Sequence, residues 1–259
     1  MVGSCIGEGA RVLDVARSLD DFLRILAPFN QRALAEMVRV KVDRPAYLFR
    51  GCKANQELVA SVGKPWRDDL DRCERNMLRF LREQYEGMDS LSDWDLIAIA
   101  RHHGVPTRYL DWSSNALVAL RFALGGRSGN ISAPVVWVLE TRSFDFDIPK
   151  DDAGPLPRGI GSSTKIYAPS AVDSRIVRQD SYMMRQVFVQ KGDSCEIEPV
   201  NENPTFEKRI WQIGIDVDAA ESMVTELENL GYTFKALLPE INFKNLKSDC
   251  DEIMKGMQI

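Results

Sequence analysis

Hydrophobic residues recur along this chain with two periods. Helical spacing prevails in the first half and alternation in the second, the pattern of a single α+β domain whose helical N-terminal half packs on a mixed or antiparallel sheet. From Val12 to about Gln31, Ser18 followed by Asp20 and Asp21 supplies an N-cap and an acidic first turn to the apolar face of Phe22, Leu23, Ile25 and Leu26, so a first helix is expected there. The aromatic run Ala46 to Gly51 reads as a strand ending in the polar corner Arg50-Gly51. A helix is expected from about Asp69 to Glu86, with Leu70, Cys73, Met77, Phe80 and Leu81 along one side and Gly87 as its stop. Its Glu74 either joins the solvated face or turns inward toward an arginine such as Arg50 or Arg108.

Ser92 with Asp95 three residues on forms a capping box for a helix that delivers His102 and His103 at its C-terminal end, and Gly104 with Pro106 then turns the chain. Ala116 to Leu124 is apolar on nearly every side, a short buried helix stopped by Gly125 and Gly126. Later come a buried strand at Ala133 to Leu139, a long Pro- and Gly-rich connection from Asp145 to Ala168, and two short strands over Ser174 to Met183 and Val187 to Val189. A strand at Ile210 to Ile215, a helix begun by Asp218 and Glu221 and closed by Gly231, and an amphipathic last helix from Leu246 to Met257 complete the reading.

Composition narrows the picture. With 259 residues, 44% of them hydrophobic, the chain can bury a full core, and its net charge of −5 argues against a broad nucleic-acid-binding face while leaving room for a local basic pocket. No apolar run approaches the roughly 20 residues that span a bilayer, and the N-terminus lacks the basic start and apolar core of a signal peptide, so a cytoplasmic protein without membrane contact is expected. Five scattered cysteines with no CxxC pair read as reduced thiols. Cys52, next to Arg50-Gly51, is either a small apolar filler or a thiol activated by the cation.

The densest chemistry lies between Arg101 and Leu124. Adjacent His102 and His103 suggest a metal site with Asp111, but neighbours on a helix point about 100° apart and no HExxH accompanies them, so no metal is expected. One imidazole is expected to face a pocket and the other to cap the carbonyls at the helix end. A Ser-His-Asp set could be drawn from Ser113 or Ser114, either histidine and Asp111. No GxSxG elbow supports it, and a serine ahead of Asn115 and an apolar helix is first of all an N-cap. Arg108 and Asp111 are spaced to brace the loop with a salt bridge, and Trp112 is either a core anchor or a platform for a planar base. Arg50 either reaches solvent or presents its fork to phosphate or carboxylate, with Gly51 permitting close approach.

The segments Tyr47-Leu48-Phe49-Arg50-Gly51, Glu74 with Phe80, the continuous run from His102 through Gly104-Val105-Pro106-Thr107-Arg108-Tyr109-Leu110-Asp111-Trp112 to Ala123, Arg175-Ile176 with Gln179, and Leu237-Leu238-Pro239-Glu240 closely resemble the FRG domain family, named for its Phe-Arg-Gly motif. The resemblance spans about Phe22 to Ser248 and implies an FRG-type domain over 18–248, with an extension at 1–17 and the end of the last helix at 249–259. It departs from the usual pattern at Cys52 and Arg101, where glutamines are common, and at Gln179-Asp180-Ser181 in place of Gln-x-Gly. The family implies a bacterial or phage setting, at times in a defence or toxin system.

A fainter likeness concerns the aromatic-Arg-Gly strand end and the serine-bearing strand that feeds the helix containing Phe122-Ala123. It looks like the NAD grip of ADP-ribosyltransferases. That likeness implies Arg50 on phosphate, Ser113 with Trp112 or Tyr109 on the nicotinamide ribose and ring, and Gln179, Glu196 or Glu198 in the polarising position. On this basis NAD is the expected substrate, and the expected pocket comprises Arg50, Gly51, His102, Thr107, Arg108, Tyr109, Asp111 and Trp112, with Gln179, His103 and Ser113 in catalytic roles. The acceptor would be a protein or nucleic acid. With a glutamine in the acidic position, transfer would be weak and binding alone could remain, so a non-enzymatic nucleotide-binding or interaction module is the alternative.

Overall fold

The computed structural model describes residues 11–40, 44–53, 56–61, 70–125, 133–147, 163–191, 194–239 and 245–255. Its centre is a seven-stranded sheet in the order β1-β9-β4-β2-β3-β6-β5, with β1 at Arg11–Ala16, β2 at Tyr47–Lys53, β3 at Tyr109–Ser113, β4 at Pro134–Glu140, β5 at Lys165–Tyr167, β6 at Ser181–Arg185 and β9 at Ile210–Ile215. Every pairing is antiparallel except β1 with β9, which makes a mostly antiparallel mixed sheet. β7 (Phe188–Lys191) and β8 (Ser194–Ile197) form a separate hairpin. The helices are α1 (Leu19–Val40), α2 (Leu70–Gln84), α3 (Asp93–His102), α4 (Ala116–Leu124), α5 (Ser174–Arg178), α6 (Ala220–Asn229), α7 (Phe234–Leu237) and α8 (Leu246–Lys255).

Because side chains alternate across a strand, the two faces of the sheet carry different cores. On one face, Phe49, Val136, Val138 and Ile213 pack under α1, α4 and α6, while Tyr109, Tyr167 and Met183 pack under α2, α3 and α8. The opposite face buries Leu48, Leu110, Trp112, Trp137, Leu139 and Met184 against Val200 and Phe206. Two helical layers therefore lie side by side on one face, one over β2, β4 and β9 and the other over β3, β5 and β6. The seam between them falls where β2 meets β3.

Most expected elements form, with local differences. The segment from Val12 is not the start of the first helix. Residues 11–16 pair with β9 as an edge strand, and α1 begins after Ser18, whose hydroxyl accepts the Asp21 amide at 3.0 Å. Val12, Leu13 and Val15 stay exposed and lack clean alternation, so only the distant parallel partner reveals the strand. Ser174 to Arg178 is one helical turn instead of a strand. Its β-branched Ile176 and Val177 favour extension, but the Asp173 carboxylate accepts the Arg175 amide at 2.6 Å and opens the helix. The expected connection 145–168 contains β5, and its residues 148–162 lie outside the described ones, as does Met257 of the last helix.

The cap of α4 is Asn115, one or two residues later than the serines. Its Oδ1 accepts from the amides of Leu117 and Val118 at 3.0 and 3.4 Å, and its Nδ2 donates to Asp180 and to the Tyr232 hydroxyl. Asn115→Ala should lower stability by about 1–2 kcal/mol, with Asn115→Ser recovering part of the loss. Urea denaturation of the three proteins checks this, and an unchanged midpoint for the alanine variant would show that the cap is dispensable.

Candidate functional site

β2 runs beside β4 along its whole length but touches β3 through the single pair Phe49 and Ser113. Beyond that pair the two strands part, and a cleft of about 340 Å³ opens in the gap, on the seam between α3 and α4. The Phe-Arg-Gly motif lies on its β2 side. Phe49 enters the core under α4, Gly51 lies against the backbone of α4, and Arg50 crosses the gap to donate from Nη1 to the Asp111 carbonyl at 2.6 Å. Its remaining guanidinium nitrogens have no partner among the described residues, and the residue lines the cleft. Burial pulls the Arg50 guanidinium below its ordinary value, with Asp111 opposing the shift. An anion bound in the cleft would offset that cost.

Asp111 projects toward α3, where Arg101 grips its carboxylate. Arg101 Nε lies 3.0 Å from Oδ2 and Nη2 lies 2.7 Å from the same oxygen, while Nη1 donates to Ser61 at 3.0 Å. Burial alone would raise the Asp111 carboxyl. The surrounding charges of Arg101, His102 and Arg50 outweigh it and hold the group below the usual carboxylate range. The expected Arg108–Asp111 bridge is absent because each residue has another partner. Arg108 points away and binds Glu74, which is fully buried in α2, with Nε 2.6 Å from Oε2 and its own amide 3.0 Å from Oε1. Glu74 is therefore inward-facing, toward Arg108 and not Arg50.

The two histidines divide between the cleft and the scaffold. His102 lines the cleft, and its Nε2 is sealed from solvent with no hydrogen-bond partner among the described residues. Burial draws its imidazole below the ordinary histidine value, with Asp111 and Asp173 pulling up and Arg101 and Arg175 pushing down. His103 Nε2 lies 3.1 Å from Asp173 Oδ2, in a buried pair that ties the end of α3 to the start of α5. Arg175 completes that tie by donating to the His102 carbonyl at 2.6 Å.

Of the residues expected at a pocket, Arg50, Gly51, His102, Asp111, Trp112, Ser113 and Gln179 converge on this cleft, whereas His103, Thr107, Arg108 and Tyr109 do not line it. Thr107 accepts the Tyr109 amide at 3.3 Å to shape the loop, and Tyr109 is a core side chain edge-on to Tyr167. Glu196 and Glu198 sit at the β7–β8 hairpin, outside the cleft, and Glu198 accepts from Asn203 at 2.7 Å. Two residues assigned catalytic roles have their groups committed elsewhere. The Ser113 hydroxyl donates to the Gln179 carbonyl at 2.7 Å and accepts the Asn115 amide at 2.9 Å, and Gln179 Nε2 donates to the Leu237 carbonyl at 2.8 Å. Both residues hold the β3 end against α5 and α7.

Lys53, Gln56, Arg101, Phe122 and Leu238 line the cleft without having been expected there. Arg101 had a signal, since it departs from the family pattern next to the paired histidines. Phe122 and Leu238 fall in segments that carry the family resemblance but were given no pocket role, as an apolar residue looks the same in a core and in a pocket wall. The cleft thus combines cationic Arg50, Lys53 and Arg101 with apolar Trp112, Phe122 and Leu238 in its lining. Among the described residues no three His, Cys, Asp or Glu side chains converge as metal ligands, and no helix is long and apolar enough to cross a membrane.

The fold and cleft define an α+β protein with arginine and histidine lining a cleft at the parting of two central strands. Comparison with known families adds a narrower likeness: residues 45–130, from just before β2 to just past α4, match the FRG domain. The match contains both the Phe-Arg-Gly strand and the paired-histidine segment, and it stops short of Gln179 and Leu238. No curated protein and no solved structure matches the chain.

Proposed function

We propose that the cleft binds NAD and that the protein is an ADP-ribosyltransferase-like enzyme transferring ADP-ribose to a macromolecule. The observation that carries this reading is Arg50. Its guanidinium is anchored at one nitrogen by the Asp111 carbonyl and is otherwise unpartnered among the described residues, in a cleft shared with Lys53 and Arg101, an arrangement suited to receiving a phosphate bidentately. The apolar flank of Trp112, Phe122 and Leu238 suits a planar base or the nicotinamide ring. Family likeness supports a bacterial or phage defence or toxin setting for such an activity.

Nicotinamide departure from the ribose leaves an oxocarbenium-like centre, so the chemistry needs a clamped phosphate and fixed negative charge more than a strong nucleophile. Asp111, kept ionised by Arg101, supplies that charge within the cleft. Arg50→Ala should weaken NAD binding by at least tenfold in isothermal titration calorimetry, and Arg50→Lys should recover little because the lysine ammonium lacks the fork. An alanine variant that binds NAD as the parent does would remove the basis of this reading.

The second reading is a nucleotide-binding module without turnover. It is favoured by the internal bonds of Ser113 and Gln179, which leave those two residues committed to holding the scaffold. NAD binding that depends on Arg50, with no nicotinamide released in the presence of cell extract, would select it.

A further inference from the structure

If NAD is cleaved in this cleft, the attacking group must lose a proton whenever it is a hydroxyl, and the lining residues differ sharply in their capacity to take one. Arg50, Lys53 and Arg101 are donors. Asp111 is gripped on its carboxylate by Arg101. The Ser113 hydroxyl is spent between Gln179 and Asn115, and the Gln179 amide is not a base. Cys52 also lines the cleft, but burial pushes its thiol up and keeps it protonated.

His102 is the exception. Its carbonyl accepts from Arg175, the residue lines the cleft, and its Nε2 is buried with no hydrogen-bond partner among the described residues. An orphaned buried nitrogen is destabilising unless something supplies the missing bond. The charged groups around the ring are Arg101 on α3, Asp111 on β3, and Asp173 with Arg175 at α5, so carboxylates stand ready to stabilise an imidazolium once formed. Its neighbour His103 is bound to Asp173 and lies outside the cleft.

We infer that His102 is the catalytic base of the cleft, taking the proton from a hydroxyl nucleophile, either water or a hydroxyl-bearing acceptor. The inference rests on the NAD reading above and specifies its acceptor class, because an already ionised carboxylate acceptor would need no base. In the step, the nucleophile oxygen forms a bond to C1′ of the nicotinamide ribose. The C1′–nitrogen bond breaks with its electron pair going to the nicotinamide ring. The hydroxyl proton passes to the His102 ring. Burial keeps the ring neutral near pH 7, so the base is competent there and is lost as pH falls through its depressed value.

The test uses the full chain with NAD in water, measuring nicotinamide release from pH 5 to 8.5 alongside calorimetric NAD binding, for the parent and for His102→Asn and His102→Gln. The parent rate should fall at acidic pH along a single ionisation lying below the ordinary imidazole value. Each variant should bind NAD within a few-fold of the parent, turn over about 10²- to 10³-fold more slowly, lose the acid limb, and regain part of the rate with added imidazole. Variants that keep the parent rate, or that lose binding and turnover together, overturn the inference. A parent profile flat on the acid side does so without any variant. Binding of NAD without nicotinamide release overturns it and leaves NAD binding standing, whereas failure of the parent to bind NAD overturns the NAD reading and this inference together.

Discussion

Glu74→Ala should destabilise the protein by about 3–5 kcal/mol, because it strands the Arg108 charge in an interior that gives it no access to water. Arg108 is 2% exposed and Glu74 is fully buried, so solvent cannot replace the lost carboxylate. The carboxylate also accepts the Arg108 amide at 3.0 Å, so a backbone donor at the entrance to β3 loses its partner in the same variant. The pair joins α2 to the loop that aims β3, and through β3 it sets Asp111 and Ser113 at the cleft. Chemical denaturation checks the magnitude. Glu74→Gln should fall between parent and alanine, since its amide oxygen still accepts from the backbone while the ion pair is gone. A double variant, Glu74→Leu with Arg108→Met, removes both charges together and should recover a good part of the loss. A loss below about 1 kcal/mol for Glu74→Ala would mean that the interior relaxes enough to hydrate Arg108.

Much of the fold was legible because local signals and tertiary structure agree. Ser92 accepts the Asp95 amide at the start of α3, Gly125 takes a positive φ at the end of α4, and the aromatic run at Tyr47 enters the middle of the sheet. The errors occur where a distant partner decides. β1 exists because β9 accepts it in parallel, and α5 exists because Asp173 caps it while also holding His103, seventy residues earlier in the chain. Period and propensity carry no record of either event.

The site was legible in its membership more than in its roles. Arg50, Trp112 and Ser113 could be gathered from residue type and spacing, and all three line the cleft. Spacing also suggested an Arg108–Asp111 pair, but each residue meets a partner from another element, Arg108 the Glu74 of α2 and Asp111 the Arg101 of α3. Strand alternation separates Phe49 and Gly51 from Arg50, so the arginine departs from the face on which its two neighbours meet α4.

The third residue of that motif carries the last large effect. Gly51→Ala should abolish or severely weaken folding, with a loss of more than about 3 kcal/mol, beyond the usual range for an overpacked core. A methyl group there would overlap the carbonyl oxygen of Ala119 and stand 2.5 Å from the Ala123 amide nitrogen. Both contacts are to the backbone of α4, which cannot rotate aside as a side chain can. α4 is held from its other end by Arg121, 2% exposed, which donates to the carbonyls of Gly125 and Tyr232 and to Glu228. The helix therefore cannot retreat from β2 without breaking buried bonds at its C-terminus. Gly51 is required for close packing, since β2 can approach the helix only where no Cβ intervenes, and that approach brings Arg50 to the gap beside β3. Thermal unfolding and near-UV circular dichroism of the alanine variant check this. Pairing it with Ala119→Gly, which removes a neighbouring methyl but not the obstructing carbonyl, should give no rescue. A stably folded Gly51→Ala protein with parent-like NAD binding would show that α4 can shift, and that the glycine does not fix the distance between the helix and the arginine strand.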